Sequence, residues 1–139
     1  MASILKVDEL QGIVSAGDIT VTSEGGAATQ SLQQGLAKAW ATHTQSATYT
    51  LHDSLNISSL TDNFVGETFY NWASNFENAF YSATVGVGEY AVAYNNTPAL
   101  GVTSNGGKTT ALLKWHSQTI GNAPADLPDN NLTVHGDLA

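Results

Sequence analysis

Along most of this chain apolar residues recur at every second position, and one stretch departs from that rhythm. In SLQQGLAKAW, from Ser31 to Trp40, the residues Leu32, Leu36, Ala37 and Trp40 stand at i, i+4, i+5 and i+8. That spacing predicts about two helical turns with one apolar face. Isolated helices shorter than roughly 12 to 15 residues are marginal in water. The stripe of Leu32, Leu36 and Trp40 is therefore expected to dock on the rest of the chain, on a copy of itself, or on both. Ahead of this joint, Ile4-Leu5-Lys6-Val7 and Ile19-Thr20-Val21-Thr22 read as two short strands, the second closed by Ser23-Glu24-Gly25-Gly26. Neither strand carries enough apolar surface to stand as a domain, and clustered Ile, Leu and Val are out of place in a mere linker. Ile4, Val7, Ile19 and Val21 are expected to dock this leader onto something larger.

After Trp40 the period is two. Tyr49 and Leu51 alternate with polar residues, Leu55 and Ile57 follow, and Asp62-Asn63 reads as a turn. Phe64, Tyr70 and Trp72 share one parity with Thr68 between them, predicting an aromatic strand face that ends near Ser74. Ala79, Tyr81, Ala83, Val85 and Val87 share the next face, loosened by Gly86 and Gly88. Tyr90, Val92 and Tyr94 alternate with Ala up to Asn95-Asn96-Thr97-Pro98, and Ser104-Asn105-Gly106-Gly107 is a turn whose residues accept positive φ. Ala111, Leu113 and Trp115 form another face. A polar loop from Ser117 to Asn130 holds Pro124 and Pro128, and a final strand from Asn131 to Asp137 carries Leu132 and Val134. Short strands at such intervals, with no helical period after the joint, predict an all-β fold: an antiparallel β-sandwich head over 41–139, a strand-like leader over 1–30 and a helical joint over 31–40.

Composition narrows the classes of partner. Hydrophobic residues make up 42% of the 139 and charged ones 12%, against roughly 25% charge in an average soluble domain. A formal charge of −8, with four Lys and no Arg, removes the cationic footprint that phosphate recognition needs, so nucleic acid is not an expected partner. No apolar run approaches the roughly 20 residues that span a bilayer, so no membrane insertion is expected, and MASILKVDEL lacks the pattern of a signal peptide. Without cysteine there is neither a disulfide framework nor a thiolate metal site.

Four segments taken together carry a resemblance: SLQQGLAKAW at Ser31 to Trp40, DSLNISSLTDN at Asp53 to Asn63, GETFYNW at Gly66 to Trp72, and VHGDLA at Val134 to Ala139. In this order they resemble small virion proteins of phages that infect marine bacteria, tail-fibre or related appendage proteins, and MASILKVDEL looks like the start of such a complete gene product. The resemblance implies a structural protein located in the virion, a homotrimer built from copies of this chain. Its N-terminal segment, residues 1–26, would attach to another virion protein, and its β-rich head would face outward toward the host surface. A capsid decoration or head-fibre protein is the alternative within the virion.

Chemistry-bearing residues do not converge in sequence. His43, His52, His116 and His135 show no metal-ligand spacing, and no Asp-x-Asp-x-Asp-Gly loop, G-x-S-x-G elbow or phosphate loop is present. No catalytic residue, cofactor or metal is therefore expected. The aromatic residues cluster on strand faces, where core packing is the plain reading; from a different functional class stands a glycan-binding module, in which Tyr70, Trp72, Tyr90, Tyr94 and Trp115 would stack on host sugars wherever they face solvent.

Overall fold

The computed structural model describes residues 5–14, 19–23, 25–46, 48–87, 107–117 and 123–139. The chain divides into two compact units between Leu36 and Ala37.

In the first unit, β1 (Thr20–Thr22) and β2 (Thr29–Ser31) form an antiparallel hairpin in which Val21 faces Gln30. The Ile19 carbonyl accepts from the Leu32 N–H at 2.8 Å and extends the pairing by one bond. The second expected leader strand is thus present, whereas residues 5–7 form no strand, and Ile4 lies outside the described residues. The expected ten-residue helix is corrected to a single turn, α1 (Leu32–Gly35). Ser31 caps it by accepting from the Gln34 N–H at 3.4 Å, and Leu36 ends it in extended backbone at φ −93° and ψ 142°. The turn buries no residue. With no side chain fully buried, it has little to offset the ordering cost of a second turn. Trp40 belongs to a strand of the second unit, so it shares no helix with Leu32 and Leu36.

The second unit is an antiparallel β-sandwich. One sheet has the order β4-β3-β9-β7, from β3 (Ala39–Thr44), β4 (Thr50–Leu55), β7 (Ser82–Val87) and β9 (Asn130–His135). The other has the order β5-β6-β8, from β5 (Ile57–Phe64), β6 (Glu67–Trp72) and β8 (Leu112–His116). Period-two patterning explains the inward faces: Ala39, Ala41 and His43 on β3; Leu132 and Val134 on β9; Tyr70 and Trp72 on β6; Leu113 and Trp115 on β8. Phe76 and Tyr81 complete the core, with Leu51, Ile57, Leu60, Ala83 and Val85 against it. Ile57 and Leu60, three apart, both reach the core because a bulge between Ile57 and Ser59 resets the parity.

Two connections depart from expectation. Asp62 and Asn63, read as a turn, lie within β5, and the chain reverses at Val65-Gly66 instead. Phe64 therefore ends β5 and is 70% exposed, not part of the aromatic face of β6. From β4 to β5 the chain changes sheets through one residue, Asn56, at φ 58°. The strand expected around Tyr90 to Tyr94 and the turn at Ser104 to Gly106 lie outside the described residues.

Candidate functional site

None of the described side chains of the first unit is buried. Leu5, Val7, Leu10, Ile13 and Val14 are all exposed, Ile13 fully so, and Val21 and Leu36 are exposed as well. Of the docking residues expected from sequence, Val7 and Val21 are thus open to solvent, while Ile19 and Leu32 are half-buried. Leu10, Ile13 and Val14 extend the apolar segment beyond the residues that sequence patterning singled out. Their signal was present as apolar residues around Gly12, but no period marked them. Trp40 is half-buried on the outer face of the four-stranded sheet, in register with Leu55 and Thr133.

The described strand-face aromatics of the head follow the core-packing reading and not the glycan-stacking one. Tyr70, Trp72 and Trp115 are 0%, 5% and 2% exposed, so none can present a ring to a sugar. This corrects their assignment as glycan contacts: their parity marked an inward face, and packing between two sheets covers it. Tyr90 and Tyr94 lie outside the described residues. Among the described residues of the head, the exposed phenyl rings are those of Phe64 and Phe80. Phe64 and Val65 stand together at the β5–β6 reversal, and that reversal is firmly held. Gly66 N–H donates to Asp126 Oδ1 at 2.6 Å, and the Gly66 carbonyl accepts from the Ser117 N–H at 2.7 Å.

Beneath this tip lies a buried polar cluster. The Gln45 side-chain amide donates to Thr68 Oγ1 at 2.8 Å, and its carbonyl accepts from the Leu127 N–H at 3.2 Å. Tyr49 also hydrogen-bonds the Thr68 hydroxyl. The fully buried Ser117 hydroxyl donates to the Ala125 carbonyl at 2.6 Å, tying the loop before β9 to the end of β8. Deeper still, His43 is fully buried among Tyr49, Tyr70 and Trp115, with ring centroids 5.9, 5.3 and 6.2 Å away. Burial, and secondly the charge of His52, pushes its pKa down to about 4. Burial likewise drives the Tyr70 pKa well above 10, with a smaller contribution from Tyr49.

The Glu67 carboxylate lies 3.8 Å from His116 Nδ1 and accepts from the Asn63 amide. Among the described residues no three His, Cys, Asp or Glu side chains are placed to hold a metal ion, and no helix is long and apolar enough to cross a membrane. The lysines of the head are buried or engaged by neighbouring groups. Lys38 is buried, Lys108 Nζ donates to the Tyr81 carbonyl at 2.9 Å, and Lys114 Nζ sits 5.0 Å from the Phe69 ring centre. Asp53, Asp62, Glu77, Asp126, Asp129 and Asp137 remain exposed, so the charge the head presents is acidic. No protein-family profile, no curated protein and no solved structure matches this chain.

Proposed function

We propose that this chain is a structural subunit of a virion appendage, a homotrimeric tail fibre of the kind its sequence resembles. In this reading residues 1–26 dock on another virion protein and the β-sandwich head faces outward. The observation that carries it is the first unit's lack of any buried side chain among its described residues, beside the exposed Leu5, Val7, Leu10, Ile13 and Val14. A two-stranded hairpin is at best marginally stable alone in water. Each of those apolar side chains contributes roughly 1.5 to 3 kcal/mol when fully buried, so a partner that covers them gains a firm grip on the segment. The hairpin also offers unpaired backbone groups at its edges, which a partner's sheet edge can take up. The assignment to a virion, and to a trimer, rests on the resemblance.

The test is assembly with and without the leader. Deleting residues 1–26 is expected to leave the head folded, because the core cluster begins at Ala39, and to abolish incorporation into particles. Equal incorporation of both forms would move attachment to the head. Native mass of the intact chain is expected to be that of three copies, and a monomer at micromolar concentration would overturn the trimer. For a contact with the host surface, Phe64 and Val65 are an exposed apolar pair among the described residues of the head, in place of the buried Tyr70, Trp72 and Trp115.

A further inference from the structure

Among the described residues four buried side-chain polar atoms have no hydrogen-bond partner within the protein: Trp72 Nε1 and, together in another part of the sandwich interior, His43 Nε2, Asn130 Oδ1 and Trp115 Nε1. The last three belong to side chains that the fold brings together. His43 and Asn130 are register partners on β3 and β9, both fully buried, and Trp115 on β8 in the opposite sheet has its ring 6.2 Å from the imidazole. Proteins rarely leave such atoms unpaired, because a buried donor or acceptor that has lost water needs a substitute for it.

The hydrogen-bond roles at this place follow from the neighbours. Trp115 Nε1–H is a donor only. The Asn130 amide nitrogen donates to the Leu127 carbonyl at 2.9 Å, which fixes its other atom as the acceptor. Tyr70 keeps its proton because burial holds its pKa far above neutrality, and its hydroxyl lies 3.5 Å from His43 Nδ1. With that hydroxyl donating to Nδ1, the neutral imidazole carries its own proton on Nε2. The three atoms therefore present two N–H donors and one carbonyl acceptor.

Few small ligands match that set. A metal cation is repelled by two N–H groups, and an anion by the amide oxygen. An apolar molecule satisfies none of the three. Water accepts twice and donates, and a buried water commonly makes about three hydrogen bonds to groups otherwise unsatisfied. We propose that one water molecule is bound between His43, Trp115 and Asn130, accepting from both N–H groups and donating to the amide oxygen, and thereby linking the two sheets through the core.

The test uses the unaltered, isotope-labelled chain. The assigned indole proton of Trp115 is expected to show cross-relaxation with water, of the sign that marks a molecule held for longer than the protein's tumbling time. A crystal structure at atomic resolution is expected to show a single water within hydrogen-bond range of all three atoms. Absence of that cross-peak overturns the proposal. So does a crystal structure in which the three atoms pair directly with protein groups, or in which an ion such as chloride lies between them.

Discussion

At the scale of single residues, two side-chain positions carry consequences out of proportion to their size. His43 occupies the core in its neutral form, with Tyr49, Tyr70, Trp115 and Asn130 around it and His52 the nearby charge. Its folded pKa of about 4 lies below the unfolded value of 6.5, so the unfolded chain binds more protons between these limits. The contribution of His43 is complete above pH 6.5 and is lost as the pH falls toward 4. From that shift the loss is on the order of 3 kcal/mol. Urea unfolding at pH 7 and pH 4 is expected to show His43→Phe losing that much less stability than the unaltered chain over the same interval; equal losses would remove His43 as the cause. Gly66 is the second position. At φ 76° a Cβ would collide with the Ser117 carbonyl oxygen and meet the Ala125 nitrogen at 2.8 Å, whereas Gly26, at φ 72°, has open space around it. Gly26→Ala should cost about 1 to 2 kcal/mol of local stability from backbone conformation, and Gly66→Ala distinctly more. Comparable denaturation midpoints for the two variants would contradict the close packing of the β5–β6 reversal.

Among elements, the corner at Asn56 joins the two sheets. Its backbone takes a left-handed conformation, its Oδ1 accepts from the Ser74 N–H at 2.6 Å, and its Nδ2 donates to the Ser74 carbonyl at 3.1 Å. Asn56→Ala loses both bonds and strains the backbone, an expected cost of about 1 to 3 kcal/mol. Asn56→Gly loses the bonds without the strain and should fall between the two in chemical denaturation; if it is no better than Asn56→Ala, the backbone conformation is not what the corner requires. The strands themselves were readable where both sheets pin the period. Ala83 and Val85, Leu113 and Trp115, and Leu132 and Val134 all face inward as alternation predicted. The helix was misread because Leu36 and Trp40 share a helical spacing only across a change of element. The window ran from a one-turn helix into β3, whose own alternation begins at Ala39. The turn was misplaced because Asp62 and Asn63, polar and turn-forming in isolation, are held in β5 by pairing to β6, while Gly66 supplies the positive φ.

For the whole molecule, the division between Leu36 and Ala37 separates a unit without buried side chains among its described residues from one with a continuous aromatic and aliphatic core. Limited proteolysis should cut first within residues 5–36 and leave a fragment beginning near Ala37 whose thermal transition matches that of the intact chain. A lower transition in the fragment would mean that the first unit supports the head. The sequence by itself determined that the chain is β-rich and antiparallel, that its leader is set apart from the head, and which parity of most strands faces inward, since a period of two follows directly from side chains alternating across a pleated sheet. Tertiary structure alone decided that Tyr70, Trp72 and Trp115 are core residues, because alternation marks a common face without saying whether another sheet covers it. It also decided that His43 is enclosed with Trp115 and Asn130. Those three residues are 72 and 15 positions apart along the chain, and only the pairing of β3 with β9, and the packing of β8 across from them, makes neighbours of them.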